Sequence, residues 1–178
     1  MIRLATLEDA RRIAEIQVAS WQVAYRGILP DEYLEQINVE KREAVWRGVC
    51  GKEREVLWVG MRDDVVAGFC HVRASRDADA DSASAEVTSI YLDPAKWRRG
   101  LGRELMAAAR TSASELGFEQ ISLWVLVENM AARQFYEAVG FRSDGSLKQE
   151  EGPGFYFNKL RYVWTAGGNV ANDLPRSH

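Results

Sequence analysis

Between residues 98 and 103 the chain reads Arg-Arg-Gly-Leu-Gly-Arg, three cations set around two glycines. These residue types suit a phosphate. Arginines supply charge, and glycines let an anion reach backbone N–H groups with no side chain in the way. The segment in front, Glu86-Val-Thr-Ser-Ile-Tyr-Leu92, is mostly β-branched, aromatic or aliphatic and is stopped by Asp93-Pro94. It reads as a strand and a turn. Behind it, Leu101, Leu105, Ala108, Ser112 and Leu116 share one helical face, and Gly117 stands where the helix would end. The cations and glycines therefore sit where a loop becomes a helix. The first N–H groups of a helix have no internal partners, and its dipole adds positive potential there. Residues 97–103 are thus a candidate seat for a pyrophosphate. The plainer alternative is a connection with solvated arginines.

Spacing excludes two familiar phosphate loops. A P-loop needs Gly-Lys-Ser/Thr, which is absent, and a dinucleotide fingerprint needs a glycine where Leu105 stands. Taken by themselves, Tyr136 on a helix face reads as core and Glu86 at the head of the 86–92 strand as a solvated strand-end glutamate.

The elements that would position these groups follow from periodicity. Ile2-Arg3-Leu4 reads as a first strand, and Thr6 with Asp9 as the start of a helix over about 7–21. Gly27 and Pro30 break that pattern. Shorter helical stretches follow around Tyr33, Leu34 and Ile37 and over about 40–49. Segments 55–60 and 65–74 read as a hairpin turning at Arg62-Asp63-Asp64. Residues 75–85 are small and polar. Asp77, Asp79 and Asp81 suggest calcium there, but the glycine and distal glutamate of an EF-hand are missing, which predicts a mobile loop. Gln120–Val127 is strongly apolar, as in a strand buried on both faces and parallel to 86–92. A helix starts at Asn129, with Ala132, Phe135, Tyr136 and Val139 on one face and Gly140 at its end. Segment 141–154 holds a further strand and a Gly-Pro-Gly turn, segment 155–164 a last strand, and 165–178 a frayed tail.

In outline the order is β-α-α-β-β-β-α-β-α-β-β. With the glycine loop and Asn129-x-x-Ala132-x-x-Phe135-Tyr136-x-x-x-Gly140-Phe141, it resembles the GCN5-related N-acetyltransferases (GNAT) over residues 1–164. Their loop pattern, Gln/Arg-x-x-Gly-x-Gly/Ala, is met at Gly100 and Gly102 but has Trp97 at its first position. The resemblance implies a single domain of mixed α/β (α+β) class. Its twisted sheet of six or seven strands, flanked by helices, would have two splayed central parallel strands. It implies an acetyl-CoA-dependent transferase acting on a primary amine of a small molecule or peptide by direct attack, without an acyl-enzyme. By the same resemblance Ile90, Tyr91 and Leu92 would hold the pantetheine arm. The backbone of Trp97, Arg98, Arg99, Gly100, Leu101, Gly102 and Arg103 would hold the pyrophosphate. Asn129, Ala132, Phe135 and Tyr136 would border the coenzyme, with Tyr136 as acid and Glu86 as base. Trp21, Tyr25, Tyr33 and Tyr156 would frame the acceptor, with Glu32 or Glu35 available to a cationic amine. The alternatives are a non-catalytic acyl-CoA sensor on the same fold and an unrelated nucleotide-binding α/β protein.

Bulk properties narrow the classes further. A length of 178 residues suits one domain with a substantial core. A net charge of -3 disfavours nucleic acid as a partner. No apolar run reaches membrane-spanning length, and the first residues lack a signal-peptide pattern, so a cytoplasmic protein is expected. Cys50 and Cys70 are expected to be reduced thiols without metal-ligand spacing, and no metal is expected. A homodimer is the assembly the resemblance allows.

Overall fold

A computed structural model describes residues 1–167. In chain order the elements are β1 (Ile2–Leu4), α1 (Ala10–Ala24), α2 (Asp31–Glu35), α3 (Val39–Val49), β2 (Val56–Arg62), β3 (Val65–Ala74), β4 (Ser84–Leu92), α4 (Leu101–Glu115), β5 (Gln120–Leu126), α5 (Met130–Ala138), β6 (Arg142–Gly152) and β7 (Phe155–Thr165). The strands form one seven-stranded sheet in the order β1-β2-β3-β4-β5-β7-β6. β4 and β5 run parallel and the other neighbouring pairs antiparallel. The expected mixed sheet is therefore present. The tail expected over 165–178 begins inside β7 at Thr165, and 168–178 lie outside the described residues.

Each face of the sheet is covered by the helices whose apolar stripe fits it. On one side α4 buries Leu101, Leu105, Met106 and Ala109 against Cys70, Val72, Val87, Ile90 and Ile121. On the other, α1 and α3 bury Ile13, Ile16 and Trp46 against Leu57, Val59 and Phe69. The helix signals hold locally. Thr6 donates its backbone N–H to Asp9 at 2.8 Å before α1, and Asn38 caps α3 through Lys41 N at 2.9 Å. Gly117 and Gly140 take left-handed conformations just past α4 and α5. The β2–β3 turn is made by Asp63 and Asp64, both at positive φ, as a tight hairpin demands.

Two features position the site. β4 pairs with β5 only from Ser84↔Gln120 to Glu86↔Ser122. Beyond those residues the two strands share no ladder. In addition, the β3–β4 ladder passes from Val72↔Val87 to His71↔Ser89, leaving Thr88 as an extra residue in a bulge.

The 75–85 loop differs from expectation. Expected to be mobile, it is anchored: Asp77 accepts from Trp124 Nε1 at 2.9 Å, and Arg161 forks onto Asp79 with two bonds of 2.7 Å. Arg161 also donates to Asp144 at 2.7 Å. Its hydrogen bonds hold Asp79 below the usual carboxylate range.

Candidate active site

Where β4 and β5 part, a cavity of about 500 Å³ opens between them. β4 lines it from Val87 to Leu92 and β5 from Leu123 to Val125. The start of α4 closes one side, α5 another, and Ser20, Ala24 and Tyr25 of α1 a third. Both constellations singled out in the sequence border this one space.

The glycine loop is shaped by backbone. Arg98 (φ 62°) and Gly100 (φ 79°) are left-handed on either side of Arg99, an alternation that curls successive N–H groups toward one side. Gly100 is the N-cap of α4, and a Cβ there would meet open space, so only its backbone angle calls for glycine. Gly102 is needed for a different reason. A Cβ there would lie 3.2 Å from the Phe135 ring, so this glycine lets α4 and α5 close on each other. Arg98 and Arg103 line the cavity, whereas Arg99 does not. Arg103 donates to the Ala138 carbonyl at 3.3 Å, which leans it on α5. Trp97 turns its indole N–H back to the Leu92 carbonyl at 2.9 Å and so closes the end of β4. Nothing in this cradle is anionic. Its open backbone donors, its two cavity-lining arginines and the unpaired strand edges fit a diphosphate with an extended amide-bearing tail.

Asn129, Ala132, Phe135 and Tyr136 all line the cavity. Asn129 caps α5, its side-chain oxygen accepting from Ala132 N at 3.2 Å. Tyr136 packs its ring near Phe135, Phe141 and Tyr162. Its hydroxyl makes no hydrogen bond among the described residues. Burial, with smaller contributions from Tyr91 and Cys70, raises the phenol above its ordinary value, so it stays protonated and is a donor. Ile90, Tyr91 and Leu92 line the cavity as expected for arm-binding positions.

Glu86 lies elsewhere. It is still inside the paired part of β4, it is absent from the cavity wall, and its carboxylate takes Arg73 Nη2 at 3.4 Å. The acceptor-side expectations also divide. Tyr25 lines the cavity and its hydroxyl is 3.1 Å from that of Tyr91. Trp21 stands behind these two rings, with Arg42 over its face at 5.2 Å. Tyr33 packs on Phe155, Tyr156 is 65% exposed, and neither Glu32 nor Glu35 reaches the wall. Cys70 is buried, which pushes its thiol up to about 12, and Cys50 is raised by burial too. Neither lines the cavity.

Sequence reasoning placed no functional weight on Ser20, Thr88, Ser89 and Trp124, all of which line the cavity. His71 is buried and links Thr88 Oγ1, at 2.7 Å from Nδ1, to Glu55 Oε2, at 3.1 Å from Nε2. The signal for this chain was indirect: a histidine inside an apolar strand, with a glutamate at the start of the facing one.

The model of the family described as "Acetyltransferase (GNAT) family" matches residues 11–141. The chain is 31% identical over 140 residues to the uncharacterized N-acetyltransferase YuaI of Bacillus subtilis, covering 77% of each chain. It is 26% identical over 153 residues to a spermidine N(1)-acetyltransferase of Thermoplasma acidophilum, covering 82% of this chain and 91% of that one. Among solved structures, a PaiA N-acetyltransferase from Thermoplasma acidophilum in complex with coenzyme A superposes with a TM-score of 0.77 at 20% identity. That match covers 93% of this chain and 98% of the other.

Proposed function

The chain belongs to the acetyltransferase (GNAT) family, and from that premise we propose which residues of this acetyl-CoA-dependent N-acetyltransferase do the work and what amine it acts on. Acetyl-CoA supplies an activated acetyl thioester. Residues 97–103, with Arg98 and Arg103, hold its diphosphate. The freed edge of β4 at Ile90, Tyr91 and Leu92 holds its arm, and Asn129, Ala132 and Phe135 border it. The single observation that carries this reading is the end of the β4–β5 ladder at Glu86↔Ser122, which opens one cavity onto both motifs.

Tyr136 is the acid in this reading. It stays protonated, lines the cavity and keeps its O–H free of partners among the described residues, so it can give its proton to the departing thiolate. Attack is direct. The two thiols stand outside the cavity and are held in the thiol form by burial, which leaves no cysteine nucleophile for an acyl-enzyme. Glu86 is engaged by Arg73 outside the wall, so we assign removal of the amine's proton to solvent rather than to Glu86. Residues 1–164 act as one domain in this reading. A cytoplasmic homodimer completes it; sedimentation tests the assembly.

The acceptor is a primary amine of a small molecule or peptide. The acceptor side of the wall offers Ser20, Thr88, Ser89, Tyr25 and Tyr91, and no carboxylate among the described residues. A polycation such as the spermidine named for the Thermoplasma relative would find hydroxyls and rings there but no ion-pair partner. An amine with an uncharged, partly aromatic body fits better. Thiol release from acetyl-CoA with phenethylamine, an alanine-terminated peptide and spermidine tests this. The expected order places phenethylamine first. Turnover of spermidine alone contradicts the acceptor assignment, and acetyl-CoA binding without turnover of any amine would favour a sensor.

A further inference from the structure

The bulge in β4 carries a residue with an unusual hydrogen-bonding constraint. Thr88 lies between Val87 and Ser89 with no partner across the β3 ladder, and it lines the cavity on the side that α1 covers. Its hydroxyl is 2.7 Å from His71 Nδ1. His71 is 3% exposed, and its other nitrogen, Nε2, lies 3.1 Å from Glu55 Oε2. Trp46 packs against the imidazole with ring centroids 5.8 Å apart.

Donor and acceptor bookkeeping along this chain leaves one arrangement. A carboxylate only accepts, so His71 must carry its proton on Nε2 to meet Glu55. Burial is the main cause that lowers the imidazole to about 4; of the charged groups that face it, Glu55 opposes this and Arg73 and Lys52 add to it. The ring is therefore neutral near pH 7, and its Nδ1 has only a lone pair. The Thr88 hydroxyl proton is then committed to Nδ1. What Thr88 presents to the cavity is oxygen without its proton, an acceptor and not a donor.

Resting on the acetyltransferase reading above, we propose that Thr88 receives an N–H of the acceptor amine and aims its lone pair at the thioester, with His71 and Glu55 as positioning residues. No covalent bond to Thr88 and no proton transfer through the chain is involved. The neutral amine attacking the carbonyl has one lone pair to point and N–H bonds to anchor. An acceptor oxygen on the cavity wall fixes the second and so directs the first. A hydroxyl free to rotate could instead donate to that lone pair and block attack. Glu55, set behind His71 and Thr88 and away from the cavity, prevents this by fixing the imidazole tautomer. The bulge explains why this residue is available. A regular ladder has no extra residue at this point, whereas the inserted one lines the cavity that opens between β4 and β5.

The test combines spectroscopy and kinetics on the full chain. In a long-range ¹H–¹⁵N spectrum at pH 6–8, His71 is expected as the neutral Nε2–H tautomer. An Nδ1–H tautomer overturns the proposal. With phenethylamine as the probe, Thr88→Val is expected to lower kcat/KM for the amine about tenfold while leaving the KM for acetyl-CoA unchanged, and Thr88→Ser is expected to restore most of the loss. Valine matches threonine in shape but leaves the buried His71 Nδ1 unpaired, so urea unfolding checks that the fold is kept and Thr88→Ser, which retains the hydroxyl, is the control. Kinetics of Thr88→Val indistinguishable from wild type, or an equal loss on the acetyl-CoA side, overturns the assignment. Glu55→Gln is expected to mix the two tautomers and to reduce the amine term without altering coenzyme affinity. If the wild type acetylates no amine, the acetyl-transfer reading has failed separately. The Nε2–H tautomer together with a shift of the Thr88 amide on adding phenethylamine then sustains the proposal, and absence of either overturns it.

Discussion

The coenzyme half and the acceptor half of the cavity are built from different materials. The coenzyme half is backbone: left-handed Arg98 and Gly100, the first N–H groups of α4, and strand edges freed beyond Glu86 and Ser122. The acceptor half is side chains drawn from distant segments: Ser20 and Tyr25 from α1, Tyr91 and Thr88 from β4, and behind Thr88 the His71–Glu55 pair. Backbone geometry can be held by a short run of glycines and caps, whatever else changes. A side-chain pocket depends on long-range packing and can be rebuilt one residue at a time. The lesson is physical. On the proposed assignment, one half recognises groups common to any acyl-CoA, and the other decides which amine is accepted.

The sharpest way to break the comparison is at the residue between the halves. Tyr136→Phe keeps the ring and its neighbours but removes the only proposed acid. It is expected to lower kcat about 100-fold, with acetyl-CoA affinity unchanged by calorimetry. Equal turnover in the variant removes Tyr136 from the chemistry and leaves it as packing.

Acid stability probes the acceptor half through His71. His71 is ordinarily near 6.5 and is lowered to about 4 in the fold. The unfolded chain therefore binds a proton there that the folded chain refuses. The stability that goes with the neutral, buried ring is present above pH 6.5 and is lost as pH falls from 6.5 toward 4, by on the order of 2–3 kcal/mol. Urea unfolding at pH 7 and pH 4.5 measures it. His71→Gln is expected to flatten that part of the profile. An unchanged slope in the variant shows that another group governs it.

Smaller effects sharpen the coenzyme half. Gly102→Glu places a Cβ 3.2 Å from the Phe135 ring and a carboxylate beside the anion seat. Acetyl-CoA affinity is expected to fall about tenfold or more, with some loss of stability from the strained α4–α5 contact. Unaltered affinity would dismiss the loop assignment. Gly100→Ala meets no atoms and pays only for a left-handed φ, about 1 kcal/mol of stability by thermal unfolding.

This division also governs what can be read from the chain itself. The strand, glycine loop and helix of 86–116, and the Asn129–Phe141 run, are short-range patterns, and each appears where its spacing indicates. The parallel β4–β5 pair follows from the helix between them. Glu86 is less legible, because its offset from Gly100 says nothing of the Arg73 that faces it across the β3–β4 ladder. The loop of Asp77 and Asp79 reads as mobile because its anchor, Arg161 on β7, lies more than 80 positions away. Thr88 is legible only once the bulge is seen, since a strand pattern assigns it a face that the extra residue changes.

The central claim is that one cavity between the parted ends of β4 and β5 receives the coenzyme. Backbone amide spectra recorded while acetyl-CoA is titrated into the full chain test it most directly. The account predicts that the signals of residues 88–92 and 98–103 move together, with those of Leu123–Val125, and that the β6–β7 hairpin stays still. Shifts concentrated outside the cavity, or none at saturating coenzyme, would contradict it.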